Sequence, residues 1–561
     1  MRQRIAAGLV MAALSCGTQK SAAQTSSAPI PIIRSVTRLV NVEVVAKDRQ
    51  GHPVEGLSRS DFEVFEQIAP KRDQRPQRIS GFRSVSVTDL AAQDKGAWSF
   101  PAGVYSNIVT MHQVPVPPTV LLVDGINTDF DSQGRIRTQM VKMLSSIPSD
   151  IPVAVFFLGL RLRMVQNFTS DPKLLQAALG QTTGDATPRS PIMTVDDPDP
   201  LSAFKPTSGY DIEEVQRFES EVFRVTVDDR VQKTLDALRS LARHLAGYPG
   251  RKNLIWISSS FPILLSPSEH GTSGRTWAGF RNYEPAVAET TNALASAQVA
   301  VYPVDPAGLK APLPGHDVSN VGEIAMFQLA EQTGGKVCLH DNDLGDCIKK
   351  TVADSSSFYE ISYYPDSSNW SGEFHRILIK ANKPGVELGY RHGYYAGSSS
   401  EGKKDKEQHE IDLQRAACVD LITSTSLLLG ARVMPPPQQG QAEYFLSVDL
   451  GSLSLPPKDD GSRQVSLTTA VCTFDRGGRP LQYLEQPVER ALSESEFRAL
   501  QARGGFPHQI VLKPAAGTVA VRLLVKDTAT GKLGSVNVPY AAMAAVHSPA
   551  SPDPSSDAGK R

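Results

Sequence analysis

The sequence predicts an α/β fold, a doubly wound and mostly parallel sheet, flanked by a small β-module and followed by a C-terminal all-β sandwich. Three observations predict it. Between residues 119 and 353, apolar runs of strand length alternate with segments of helical spacing, the signature of βαβ units closing a parallel sheet buried on both faces. On either side of that region the periodicity falls to two and Gly- or Pro-containing turns separate the runs. A chain of 561 residues with 40% hydrophobic residues has room for several separate cores.

At the N-terminus, Arg2 and Arg4 precede an apolar stretch from Ile5 to Leu14, and Ser21-Ala22-Ala23 supplies small residues for cleavage, so residues 1–23 read as a secretory signal. No later run approaches the roughly 18 apolar residues of a membrane span. The mature protein is therefore expected in the periplasm, the cell envelope or outside the cell, without a transmembrane segment.

Residues 34–97 read as an N-terminal β-module, with alternation at 39–45 and 62–66, a turn at Asp48-Arg49-Gln50-Gly51 and a third run from Ile79 to Val85. Val114-Pro115-Val116-Pro117-Pro118 reads as a linker. The α/β domain is placed at 115–355. Its strands are expected at 119–123, 153–158, 253–257, 299–304 and 336–338, and its helices at 132–146, 171–179, 228–246, 282–297, 320–332 and 343–353. The stretch 184–215 reads as a polar, Pro-rich insertion.

Strands in 356–396 are expected to pair with the N-terminal strands, because three isolated strands bury too little surface to stand alone. Residues 397–411 read as a charged linker, 412–545 as the all-β sandwich and 546–561 as a disordered tail.

The charge balance excludes one class of function. With 58 Lys+Arg against 59 Asp+Glu, the chain lacks the basic excess that nucleic-acid binding draws on. Of the five cysteines, cleavage would remove Cys16, leaving four in an oxidising compartment. Cys338 and Cys347 are close in sequence and are expected to bridge, while a Cys418–Cys472 bridge is left open.

Several strings carry a family likeness: Leu121-Leu122-Val123-Asp124-Gly125-Ile126-Asn127-Thr128, Phe168-Thr169-Ser170-Asp171, Asn253-Leu254-Ile255-Trp256-Ile257-Ser258, Val301-Tyr302-Pro303-Val304-Asp305 and Gly393-Tyr394-Tyr395-Ala396. With Asp48 to Leu57 and Asp61 to Glu66, they make residues 35–396 resemble the von Willebrand factor A-related proteins common in Acidobacteria. The resemblance implies an exported protein with a von Willebrand A-like fold.

It also implies a place for a site. Adhesion-type A domains carry an Asp-x-Ser-x-Ser pattern, a Thr from a second loop and an Asp from a third, which hold a Mg²⁺ whose open position a partner's carboxylate fills. Asp124 matches the first carboxylate and Thr128 the second hydroxyl, with Asn127, Asp129, Ser258 and Ser259 as further oxygen donors. Ile126 stands where the first serine belongs, and Ser258-Ser259-Ser260 where the third loop supplies its carboxylate. The second-loop threonine falls among Thr182, Thr183 and Thr187. The site is thus degenerate, and two readings stay open: weak Mg²⁺ binding, or an Asp124 that caps the following helix or pairs structurally.

Catalytic patterns are absent from the sequence. There is no GxSxG, HExxH, P-loop or GxGxxG, and the eleven histidines lack metal-ligand spacing. His340, near the expected Cys338–Cys347 bridge, has no free thiol beside it if that bridge forms. Tyr359, Tyr363, Tyr364, Tyr394 and Tyr395 read as strand aromatics filling a β core. The expectation is a non-enzymatic, adhesion-type binding protein whose α/β domain engages a protein partner. The alternative is a metal-free envelope scaffold assembled through the C-terminal domain and the insertion.

Overall fold

The computed structural model describes residues 39–68, 73–86, 103–107, 118–128, 147, 151–180, 212–248, 250–258, 261, 283–305, 321–338, 349, 351, 357–365, 373–396, 403–420, 422–458 and 460–540. The expected signal, the helix at 132–146, the insertion up to 211, the candidate threonines 182, 183 and 187, Asp129, Ser259, His340, Cys347 and the tail lie outside the described residues. The molecule is mixed α/β with several sheets. Among the described residues no helix is long and apolar enough to cross a membrane.

The N-terminal strands are β1 (Val40–Lys47), β2 (Phe62–Ile68), β3 (Arg75–Gln77) and β4 (Ile79–Ser86), followed by a short β5 (Val104–Ser106). The central region then runs β6 (Thr119–Asp124), β7 (Val153–Leu158), β8 (Leu162–Thr169), α1 (Pro172–Gly180), α2 (Ile212–Leu245), β9 (Lys252–Ile257), α3 (Glu284–Ser296), β10 (Val299–Val304) and α4 (Val321–Thr333). The five strands lie in the order β10-β9-β6-β7-β8. The first four are mutually parallel, whereas β8 pairs antiparallel with β7 at the edge.

Successive side chains of a strand point to opposite faces, so each central strand feeds two cores. Val120, Leu122, Ala154, Phe156, Leu254, Trp256, Val299 and Val301 pack with α2, α3 and α4. Leu121, Val123, Val153, Val155, Ile255 and Ile257 pack with α1 on the other face. In α2 the buried Val231, Leu235, Leu238, Leu241 and Leu245 recur at the three- and four-residue spacing that puts them on one stripe.

After the central region come β11 (Ser357–Tyr363), β12 (Phe374–Ala381), β13 (Glu387–Gly389) and β14 (Gly393–Tyr395). They do not form a sheet of their own. β11 inserts between β1 and β4, with Val42 opposite Ile361, and β12 between β2 and β14, giving two four-stranded sheets. These close around one core that includes Tyr359, Tyr363, Tyr390 and Tyr394. Buried Glu66 accepts hydrogen bonds there from Tyr394 (2.6 Å) and Tyr363 (3.4 Å) and lies 3.1 Å from His375 Nδ1.

The C-terminal elements are α5 (Lys403–Cys418), β15 (Leu429–Met434), β16 (Ala442–Val448), β17 (Arg463–Phe474), β18 (Pro480–Leu492), α6 (Glu494–Ala502), β19 (Phe506–Leu512), β20 (Ala520–Asp527) and β21 (Leu533–Pro539). Two sheets, β19-β16-β15-β5 and β18-β17-β20-β21, enclose a shared core. Cys418 and Cys472 are bonded, with Cα atoms 5.5 Å apart, and fasten α5 to β17. Cys338 is also disulfide-bonded.

Two of the differences from the sequence reading bear on how the modules join. The stretch 403–411, expected as linker, is the first half of α5, whose later residues Leu413, Ala416, Ala417 and Cys418 bury a single apolar stripe. Nor do the sheets after residue 411 stand apart from the rest. β5, from before the α/β region, pairs with β15, and Asn107 is buried against the backbone of Ser424, Leu427 and Leu429. The segment after α5 then grips the end of α2: Asp420 accepts from Arg243 (2.8 Å) and Ser240 (3.1 Å), and Thr425 donates its amide to Arg243 O (2.9 Å). Gly247 is required at this junction, because a Cβ would come within 2.8 Å of the Thr425 side chain.

Candidate functional site

In an open α/β sheet, ligands bind beyond the carboxyl ends of the strands where the strand order reverses. Here the chain moves from β6 outward to β7 and β8, then returns to the other side of β6 for β9 and β10. The reversal falls between β6 and β9. Asp124 is the last residue of β6 and Ser258 directly follows β9, so the sequence-predicted residues meet at that point.

Their contacts are specific. Asp124 Oδ1 accepts from the backbone N–H of Ile126 (3.1 Å) and Asn127 (3.0 Å). Its Oδ2 accepts from Asn127 Nδ2 (2.7 Å), Trp256 Nε1 (3.0 Å) and Ser258 Oγ (3.1 Å). Asn127 Nδ2 also donates to Thr234 Oγ1 (2.8 Å), whose hydroxyl donates in turn to the Arg230 carbonyl (2.8 Å). Asp124, Asn127, Thr128, Thr234, Ser258 and Trp256 are all buried.

Burial pushes the Asp124 carboxyl above its ordinary value, and the hydrogen bonds from Asn127, Trp256 and Ser258 oppose that rise. Arg230, on α2, is buried as well. Desolvation lowers its pKa, and the negative charge of Asp124 pulls it back up.

Among the described residues, two oxygens at this strand end have no hydrogen-bond partner, Asn127 Oδ1 and Thr128 Oγ1. Because Asn127 spends its amide nitrogen on Asp124 and Thr234, its oxygen is directed elsewhere. Asp305 is buried at the end of β10 on the same edge of the sheet, and its backbone N–H donates to Cys338 O (3.4 Å).

Among the described residues, the side chains at this strand end do not make the oxygen cage that the Mg²⁺ of the fold resemblance would need. Such an ion needs about six oxygen lone pairs directed at one point. A carboxylate offers about four acceptor positions, and Asp124 meets five donors, one of them an indole N–H that can only donate. Ile126 brings no oxygen at all. What remains in this loop among the described residues is a pair of neutral oxygens on Asn127 and Thr128. Among the described residues, no group of three or more His, Cys, Asp and Glu stands together as a metal cage.

The sequence pointed to Asp124, Asn127, Thr128 and Ser258 but passed over Trp256, Thr234 and Arg230. A signal existed for the last two. Arg230 and Thr234 are four residues apart and each sits one place before an apolar stripe residue, Val231 and Leu235, so both fall on the sheet-facing side of α2. Trp256 shares its face of β9 with Leu254, and only the tertiary fold aims its N–H along the sheet.

No protein-family model matches the chain. No curated protein matches it either. Solved structures that it resembles include BatB of Bacteroides thetaiotaomicron, at 11% identity over 43% of this chain and 98% of that one, with a TM-score of 0.25. A von Willebrand factor type A protein of Catenulispora acidiphila matches at 8% identity over 61% of this chain and 80% of that one, with a TM-score of 0.25. The pilus adhesin SpaC of Lactobacillus rhamnosus GG matches at 9% identity over 88% and 68%, with a TM-score of 0.26. Likeness at this level carries no argument, so the fold rests on the strand pairing itself.

Proposed function

We propose that the chain is an exported, non-enzymatic binding protein. Its von Willebrand A-like domain presents the carboxyl edge of the sheet to a protein partner, and β-sandwiches on either side form its frame. The observation that carries this reading is the pair of buried oxygens, Asn127 Oδ1 and Thr128 Oγ1, at the point of strand reversal. A buried acceptor without a donor costs about 1–3 kcal/mol, and sites that retain such a cost are often sites that a ligand completes. A partner's N–H or O–H donors would satisfy both.

The placement of the frame supports the same edge. Gln298, just before β10, donates to Glu43 of β1 (2.9 Å) and Glu360 of β11 (3.3 Å), so the first sandwich packs at the amino ends of the strands. The second grips α2 between Ser240 and Gly247, the end that leads into the start of β9.

Thr128→Val tests the reading, because it keeps the shape and removes a hydroxyl that makes no hydrogen bond among the described residues. The expected outcome is an unchanged or slightly raised melting temperature, together with at least tenfold weaker capture of the partner isolated on the wild-type chain. Equal capture by variant and wild type would remove Thr128 from the binding edge. Fractionation of cells expressing the full chain tests export separately.

A further inference from the structure

We propose that Arg230 is an oxyanion receptor at the carboxyl edge of the sheet, and that the group it takes is the carboxylate of an acidic side chain on the protein partner. This rests on the binding reading above for the identity of the partner, whereas the receptor belongs to the free chain.

A guanidinium carries five N–H donors in a fixed fork, stays charged when buried, and is costly to bury without acceptors. Arg230 is only 7% exposed, yet its side chain makes no hydrogen bond and no ion pair among the described residues. The acids around it are engaged elsewhere. Asp229 pairs with Lys233 (2.6 Å), and Asp228 accepts from the Tyr283 hydroxyl (2.8 Å). The five donors that meet Asp124 come from Ile126, Asn127, Trp256 and Ser258, and none from Arg230. A buried cation kept without a bonded partner of its own marks a place that a ligand completes.

The course of α2 brings this residue to the edge. The helix leads into the start of β9, so its last turns lie at the amino side of the sheet and its earlier turns approach the carboxyl side. Thr234 accepts from Asn127 Nδ2 (2.8 Å) at the level of the strand ends. Arg230 stands one turn, about 5.4 Å, beyond it, with its carbonyl held by the Thr234 hydroxyl (2.8 Å). The acceptors Asn127 Oδ1 and Thr128 Oγ1, unpartnered among the described residues, lie at the same edge. Donors for an anion beside acceptors for N–H groups match an acidic residue within a peptide, which offers a carboxylate and main-chain amides together. Arginine meets a carboxylate through two parallel N–H···O bonds, a geometry that lysine cannot make.

N-acetyl-glutamate N-methylamide, with its glutamine counterpart as the neutral control, probes the receptor directly. Each is titrated into the full chain at low salt and followed by saturation-transfer NMR and thermal melting. The glutamate probe should bind saturably and raise the melting temperature by about 2 °C or more at about ten times its Kd. The glutamine probe should bind at least about fivefold more weakly. Arg230→Met should abolish the difference between the probes, Arg230→Lys should keep part of it, and Arg230→Met should melt no lower than wild type, because it removes an unpaired buried charge and keeps the apolar stem. Equal binding of the two probes, no binding of the glutamate probe, or a difference that survives in Arg230→Met would overturn the proposal. So would a markedly lower melting temperature in Arg230→Met, which would show the guanidinium paired within the chain. Partner capture is a separate readout. If the glutamate probe binds through Arg230 while Thr128→Val and Arg230→Met capture the partner as wild type does, the receptor stands and its assignment to a protein partner falls. If the probe does not bind while Thr128→Val loses the partner, the receptor falls and the binding reading stands.

Discussion

Replacing Asp124 with asparagine turns one of its acceptor oxygens into a donor, and the structure fixes what that does. If the amide oxygen takes the Oδ1 place, it keeps the N–H groups of Ile126 and Asn127, but the new NH₂ faces Asn127 Nδ2, Trp256 Nε1 and Ser258 Oγ. The serine hydroxyl can turn and accept; the indole and the amide cannot. If the amide is reversed, the two backbone N–H groups lose their acceptor instead. Either way two buried N–H groups point at another N–H, at about 1–3 kcal/mol each. Relief of the desolvation that raises the Asp124 pKa offsets part of this. The net loss is about 3 kcal/mol, which lowers a transition of this size by about 6–12 °C. Thermal melting of the full chain, followed by calorimetry and by the fluorescence of buried Trp256, measures it. A variant as stable as wild type, or more stable, would refute the reasoning: a carboxylate held chiefly for a ligand is usually a burden on the free fold, and its removal relieves the chain.

Three further outcomes follow from other parts of the molecule. Lys252 is buried at the start of β9 and donates to Ala297 O (2.7 Å), and burial brings its pKa from 10.5 down to about 7 despite Glu43 and Glu360. Above about pH 7 the unfolded chain holds the proton that the folded chain has released, so this group makes stability rise with pH, by about 2 kcal/mol from pH 7 to 9; melting curves of Lys252→Met should lack that rise. Reducing Cys418–Cys472, which closes a loop of 54 residues, should cost the C-terminal sheets about 4 kcal/mol, measured as a lower denaturant midpoint in reductant. In Gly335→Ala the new methyl would collide with the backbone carbonyl of Val301, whereas in Gly389→Ala it would meet nothing nearer than 3.9 Å; only the first should lose soluble yield or melt several degrees lower.

What could be read from the sequence follows what determines each element. β6, β7, β9 and β10 are buried on both faces, so their side chains are apolar without interruption and stand out in any window. β8 escaped because it is a half-exposed edge strand whose Gln166 and Asn167 break the pattern. β18 escaped for the same reason, as a long exposed edge carrying Pro487. The linker reading at 397–411 followed the charge of the first turns of α5, whose apolar stripe begins only at Leu413. α6 did have a local signal, the capping box of Ser493 and Glu496, placed after a run too polar to suggest a helix. At the site, the strand ends could be read because a strand end is a local feature. The occupation of Asp124 by an indole from the next strand is a product of tertiary packing with no local pattern.

The order of modules along the chain bears on how the carboxyl edge of the sheet is held. The first pair of sheets needs strands from both before and after the α/β region, and the second borrows β5 from before it. Entry to and exit from the α/β region are therefore fixed at the frame. Helices in such a fold run antiparallel to the strands, so the late residues of α2, α3 and α4 lie at the amino ends of the sheet. The contacts follow that rule: Asp420 and Thr425 hold Arg243 and His244 of α2, Tyr395 holds Asn292 of α3, and His392 donates its N–H to Glu331 O of α4. Thr234 comes earlier in α2 and reaches the opposite, carboxyl edge, where it accepts from Asn127. One helix thus joins the two ends, gripped by the C-terminal domain at its last turns and bonded to the site about three turns earlier. Loosening the Arg243–Asp420 grip, as in Asp420→Asn, should therefore lower the melting temperature by weakening the hold on α2 while the Asn127–Thr234 bond stays in place.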